Sequence, residues 1–157
     1  MPITQRQQDL NQEREGPIDG FELGVLLRDA YFSLRRSGNV RFSRLEANGD
    51  QFVMLKLLSE GGAMNQLDLV KRGGYDPSTT TTMLKSMELR GLIRRERDPS
   101  DGRAKIVKLT SKGKKQQKRL WDASKDVRDQ LWHCLPAEKR ADVVKSLQRI
   151  VQVMNGG

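Results

Sequence analysis

Two glycine pairs, Gly61-Gly62 and Gly73-Gly74, cut the middle of this chain into short segments. A helix interior tolerates glycine poorly, because its backbone loses the most entropy on ordering and it brings no side chain to pack. A pair of glycines therefore ends an element. Between the pairs there is room for one short helix, "QLDLVKR", with Asn65 placed to cap it. Beyond the second pair, Asp76-Pro77 opens another: an Asp cap followed by Pro at the first helical position, where its missing N–H costs nothing.

The stretch "STTTTMLKSMELRG" (78–91) pulls two ways. Four consecutive threonines favour a strand, because β-branched side chains are restricted in a helix. The Asp-Pro start, the stop at Gly91 and the spacing of Thr80, Met83, Leu84 and Met87 favour a helix, and we read it as one. Its opposite face carries Ser78, Thr81, Thr82 and Lys85, with Thr79 beside them. Short hydroxyls and one cation reach base edges and phosphates without burying a large apolar group. A solvated face of a weak helix has the same composition.

Next comes "RRERDPSDGRAKIVKLTSKG" (94–113). Two strand-like runs, 92–97 and 104–109, flank a turn built on Pro99 and Gly102. The charge of the chain is concentrated here. Net charge is +9; residues 85–119 hold thirteen Lys and Arg against four Asp and Glu, and the remainder holds sixteen of each sign. A solubilising charge would be spread out, whereas a focused one attracts polyanions. Two helices joined by a glycine turn and followed by a basic hairpin make a winged helix-turn-helix: the second helix enters a major groove, and the hairpin tracks the backbone or reaches the minor groove.

The flanks are helical. Residues 1–17 read as a flexible polar arm ending at the Gly16-Pro17 break. In 18–36, Leu23, Leu27, Ala30, Tyr31 and Leu34 recur at helical spacing, and "SGN" (37–39) ends that helix. Residues 41–45 fit no single element. Asp50 reads as the cap of a helix carrying Phe52, Leu55 and Leu58. After the hairpin, Thr110 or Ser111 caps one long helix with Leu120, Val127, Leu131 and Leu135 as its apolar stripe. Pro136 breaks it and opens a last helix, where Val143, Val144, Leu147, Ile150, Val151 and Met154 form an apolar face wider than a small monomer hides.

Other chemistry is poorly supplied. The single cysteine, Cys134, excludes an intramolecular disulfide and fits a reducing compartment. The N-terminus lacks a signal peptide's apolar region, and no run approaches the ~20 apolar residues a membrane span needs. We therefore expect a cytoplasmic chain with no membrane partner. Cys134, near Trp132 and Leu135, reads as an inert buried thiol rather than an oxidant sensor. His133 is the single histidine and has no partner at ligand spacing, so no metal site and no cofactor are expected. Trp121 and Trp132 read as packing or dimer residues. Without a Gly-rich phosphate loop, a nucleophile beside a His base, or paired carboxylates in a cleft-like setting, the chain is not expected to be an enzyme.

From Gln51 to Gly113 the sequence also resembles the MarR family of bacterial transcriptional regulators. The matching segments are "QFVMLKLL", "NQLDLV", "DPSTTTTMLKSMELRGLIRRERDPSDGRA" and "KLTSKG", with Asp101-Gly102-Arg103 as the family's Asp-x-Arg wing signature. The resemblance implies a homodimer paired through its terminal helices, two winged heads on a pseudo-palindromic operator, and repression relieved by a small, often aromatic, ligand. It places Ser78, Thr79, Thr81, Thr82 and Lys85 at the major groove and Arg103 in the minor groove, with Asp101 orienting that arginine or a neighbour. Arg97 and Lys105 are further wing cations, and Asn65 and Gln66 begin a helix that touches phosphate. Tyr31 and Arg35, one turn apart, are candidates for an aromatic acid, and Val144, Leu147 and Val151 for the dimer interface. Three departures stand out: Gly102 replaces a frequent second wing arginine, Gly73 replaces a core leucine and loosens the turn, and Thr80 occupies an aliphatic position.

The sequence thus predicts a mainly α fold with a small β-hairpin wing. The expected divisions are an arm (1–17), an N-terminal dimerisation helix (18–45), a winged helix-turn-helix domain (46–113) and C-terminal dimerisation helices (114–157). The alternative function is a winged-helix interaction module for protein or structured RNA, which would need neither charge focused on the wing nor a polar recognition face.

Overall fold

The computed structural model describes residues 18–156, so the arm expected over 1–17 lies outside the described residues. The chain divides into two units, Met1–Arg36 and Ser37–Gly157. Most of the first helix, α1 (Gly20–Phe42), belongs to the first unit, in which no described residue is buried. The helix does not end at "SGN". Arg41 Nη1 donates to the Ser37 carbonyl at 2.9 Å, and Phe42 is buried with its ring 3.3 Å from where a Cβ on Gly38 would stand. Gly38 is therefore a seat for the Phe42 ring one turn on, and tertiary packing overrides its helix-breaking tendency.

A 3-10 turn (Ser43–Leu45) leads to α2 (Gly49–Gly61). Its cap is Asn48, which accepts from Gln51 N at 2.9 Å, and not Asp50. Asp50 is used elsewhere, accepting from the Tyr75 hydroxyl at 3.0 Å, while Gly49 N donates to Asn39 Oδ1 at 2.9 Å. Then come β1 (Met64–Asn65), α3 (Gln66–Gly73) and α4 (Pro77–Leu89). The hairpin follows as β2 (Ile93–Arg97) and β3 (Lys105–Leu109). The sheet has three strands in the order β1-β3-β2, all antiparallel, so the hairpin is joined by a two-residue strand that the sequence did not announce.

The expected long helix is two: α5 (Ser111–Ala123) and α6 (Lys125–His133). Side chains occupy the carbonyl freed at the break, which is what kinks a helix without proline. Ser124 Oγ and Arg128 Nη2 both donate to Trp121 O, at 3.0 and 2.9 Å. Arg41 holds Asp126 at the start of α6 through three contacts of 2.6 to 3.0 Å. The apolar stripe is correspondingly uneven: Leu120 and Val127 are buried, Leu131 is half exposed, and Cys134 is exposed rather than buried. A 3-10 turn (Ala137–Lys139) follows Pro136, and α7 (Arg140–Met154) closes the chain with no buried residue.

The core of the second unit sits under α4 and the sheet. Met54, Leu55, Leu69, Leu84, Met87 and Leu120 are fully buried there. At Gly73 the Tyr75 ring lies 3.0 Å from where a Cβ would be and takes that space. Gly74 takes the left-handed conformation (φ 70°) that lets α3 stop. At the root of the wing, a Cβ on Gly113 would stand 1.9 Å from the Leu92 carbonyl oxygen, so α5 starts in direct backbone contact with β2's approach.

Candidate nucleic-acid interface

The threonine run is helical, and its cap explains why. Asp76 accepts from Thr79 N at 2.8 Å and from the Thr79 hydroxyl at 2.5 Å. These bonds, the hydroxyl's first, hold the Asp76 carboxyl below its ordinary range. Thr80, Leu84 and Met87 are fully buried, while Ser78, Thr79, Thr81, Thr82 and Lys85 are all exposed on the outer arc of α4. The cost of this arrangement falls on Thr80, whose hydroxyl is buried with no hydrogen-bond partner.

Asn65 and Gln66 serve the scaffold. Asn65 Oδ1 caps α3 by accepting from Asp68 N at 2.8 Å. Gln66 Nε2 donates to Thr81 Oγ1 at 2.7 Å, and that hydroxyl donates to Pro77 O at 2.8 Å. The helix expected at phosphate is thereby pinned to the helix expected in the groove. Nothing in the residue pattern advertised this link, since it spans fifteen positions and joins two separate elements.

The wing tip is ordered by two aspartates. Asp98 Oδ1 accepts from Ser100 Oγ at 2.6 Å and Ser100 N at 2.8 Å, and these bonds lower its carboxyl's affinity for protons. Asp101 Oδ1 accepts from Arg103 N at 3.0 Å. Asp101 thus orients Arg103 through its backbone and leaves the guanidinium exposed. The Asp98-Pro99-Ser100 sequence is an Asx-turn signal that pointed to Asp98.

Ion pairing sorts the cations of this region. Glu96 is bracketed by Arg94 Nε and Lys108 Nζ, each at 2.7 Å, and the Lys108 bond, ahead of Arg94, depresses its carboxyl. Arg95 Nε lies 3.2 Å from Glu88, within ion-pair reach though not aligned as a hydrogen bond. Lys85, Arg97, Arg103 and Lys105, by contrast, are exposed and make no ion pair or side-chain hydrogen bond among the described residues; the same holds for Lys114 and Lys115 at the start of α5. Arg97 and Lys105 are paired across the ladder. With Lys85, Glu88, Arg95 and Glu96 they line a groove of about 320 Å³ between α4 and the wing.

Elsewhere, Arg35 Nη1 donates to Tyr31 Oη at 3.3 Å on α1, so the two effector candidates meet. Val144, Leu147 and Val151 on α7 are all exposed. Among the described residues no group of His, Cys, Asp and Glu could hold a metal ion, and no helix is long and apolar enough to cross a membrane.

A model of the MarR family matches residues 48–105, from the cap of α2 to the start of β3. The HTH-type transcriptional regulator YxaD of Bacillus subtilis is 30% identical over 118 residues, which are 69% of this chain and 78% of YxaD. The chain belongs to the MarR family. Transcriptional regulator HosA of Escherichia coli is 35% identical over 65 residues, covering 41% of the MarR-family chain and 48% of HosA, so the chain spans about half the length of that relative. Among solved structures, a mutant MarR of E. coli complexed with operator DNA superposes with a TM-score of 0.76 at 25% identity, over 82% of this chain and 93% of that one. BpsR of Bordetella bronchiseptica, whose DNA binding is regulated by 6-hydroxynicotinic acid, superposes with a TM-score of 0.69 at 25% identity, over 83% and 98%. The mainly helical MarR fold with its small antiparallel sheet is the one the sequence pattern led us to expect.

Proposed function

We propose that this MarR-family chain is a sequence-specific double-stranded-DNA-binding regulator of transcription: a homodimeric repressor on a pseudo-palindromic operator, released by a small aromatic ligand. The observation that carries the reading is the sorting of cations. Charges inside the hairpin are consumed by Glu88 and Glu96, while Lys85, Arg97, Arg103 and Lys105 are left free around one groove and one tip. Free cations supply affinity through counterion release, and the polar outer arc of α4 supplies sequence choice.

The uncovered apolar residues of α7 support pairing with a second copy, which would set two heads about one helical turn of DNA apart. The ligand part of the reading is supported by the BpsR neighbour and by the Tyr31–Arg35 contact, where a phenol and a guanidinium could meet a carboxylate. A ligand releases the operator by favouring a head arrangement that misfits the grooves, since only differential affinity shifts an equilibrium.

Fluorescence anisotropy on duplexes selected from a random pool tests this. We expect a site preferred over bulk competitor duplex, a steep salt dependence, and release by aromatic carboxylates. Absence of any preferred duplex would end the proposal. Equal displacement by structured RNA would favour the interaction-module alternative instead.

A further inference from the structure

The threonines of α4 differ in what they have left to offer a base. A threonine hydroxyl carries one proton. Thr79 has given its proton to Asp76 Oδ2, a charge-assisted bond of 2.5 Å. Thr81 has given its proton to Pro77 O at 2.8 Å and accepts from Gln66 Nε2 at 2.7 Å as well. Neither can donate to a base edge without breaking a bond inside the protein. Ser78 and Thr82 have no side-chain hydrogen bond among the described residues, so their hydroxyls remain uncommitted.

Fixing Oγ1 of a threonine also fixes its methyl, because both branch from Cβ in one staggered rotamer. Thr79 and Thr81 are exposed, so each presents a methyl group held in one place by bonds that are made before any DNA arrives. An apolar contact of this kind has one distinctive target in the major groove, the C5-methyl of thymine. We propose that Thr79 and Thr81 read thymine methyl groups, so that each half-site of this chain carries thymine where these two residues face it. The inference rests on α4 being the helix that enters the major groove. It narrows the expectation that these side chains reach base edges or phosphates.

The test uses the full-length protein and duplexes selected from a random pool. Each thymine of the selected half-site is replaced in turn by deoxyuridine, which keeps the hydrogen-bonding edge and lacks the methyl. One or two positions should lose about fourfold in affinity, the scale of one buried methyl group. Thr79→Ser and Thr81→Ser keep the internal bonds and drop the methyls. Each should reproduce the loss at one position and make that position indifferent to uracil. Thr79→Val and Thr81→Val keep a methyl and drop the hydroxyl, and should retain the uracil sensitivity. Uracil tolerated throughout the half-site overturns the proposal, and this readout needs no variant protein. So does thymine preference that survives in the Ser variants and vanishes in folded Val variants. Failure to select any duplex overturns the DNA-binding reading itself, a result distinguishable from either.

Discussion

Arg97 stands directly opposite Lys105 in the antiparallel ladder, and neither side chain has an acidic partner among the described residues. Like charges in that position repel, at a cost of roughly 0.2–1 kcal/mol. The next basic cross-strand pair, Arg94 with Lys108, shares the carboxylate of Glu96. Replacing Lys105 by Thr should therefore leave stability unchanged or slightly raised while lowering the slope of log K against log salt by about 0.9. Lys108→Thr is the control: it should leave the salt slope alone and lower the unfolding midpoint. Equal slopes for both variants would refute the sorting of cations.

Asp101 and Arg103 make a second pair of predictions. Arg103→Ala should weaken operator binding and reduce the salt slope by about one contact. Because Asp101 acts through the Arg103 backbone N–H, Asp101→Asn, which keeps an acceptor oxygen, should bind nearly as the parent does. Asp101→Ala should bind more weakly at unchanged thermal stability. Anisotropy titrations with matched melting curves decide this, and identical behaviour of the Asn and Ala variants would count against it.

Thr80 carries a removable cost in α4. Its hydroxyl is buried and unpaired, so Thr80→Val removes a desolvation penalty at nearly constant shape. A gain of about 1 kcal/mol is expected, which for a chain of this size raises Tm by roughly 2–4 °C. Differential scanning calorimetry reads it directly; a lower Tm would mean that the hydroxyl has a partner in solution.

The cap of α4 should be sensitive to acid. Hydrogen bonds from Thr79 hold the Asp76 carboxyl below its ordinary value, so its folded pKa lies under its unfolded one. The stabilisation is then fully present above the unfolded value near ~4 and is lost as pH falls through the folded value. Amide protection factors across residues 78–82 should fall below that range in the parent. In Asp76→Asn, which cannot titrate, that acid-triggered step should be missing. A step of the same size in both would exonerate the cap.

The proposed homodimer assigns its pairing to the last helix. Removal of everything after Pro136 deletes Val144, Leu147 and Val151 and should leave monomers or aggregates. Leu147→Glu should do the same by placing a charge on the face. A well-behaved dimer from either, on sizing with light scattering, would exclude α7 from the interface.

Local chemistry was legible in the sequence where it stayed local. Asn65, Asp76 and Thr110 each cap the helix that follows them, and the Asp-Pro start outweighed four β-branched residues. What escaped was decided at a distance. Asn48 and Asp50 are equally good cap residues, and Tyr75, from beyond α3, settles which of them is spent on a tertiary bond. The break at Ser124 has no proline or glycine to mark it; Ser124 and Arg128 fill the Trp121 carbonyl there, and Arg41 of α1 pairs with Asp126 just beyond it. Strand β1 is two residues long, too short to show a period. The outer arc of α4 was identified residue by residue, but its donor inventory was not, because Asp76 and the Pro77 carbonyl take two of the protons.

The contact of Gly113 with Leu92 has a mechanical consequence. Thr110 Oγ1 also donates to Gly91 O at 2.6 Å, and Lys112 Nζ to Arg90 O at 2.7 Å. The base of the ribbon is thus welded, not hinged, to the first turn of α5. Turning that helix by a few degrees carries the ribbon's foot along, and the lever is longest at the tip. A signal arriving along α5 would re-aim Arg103, which stands in the turn at the other end of the ribbon.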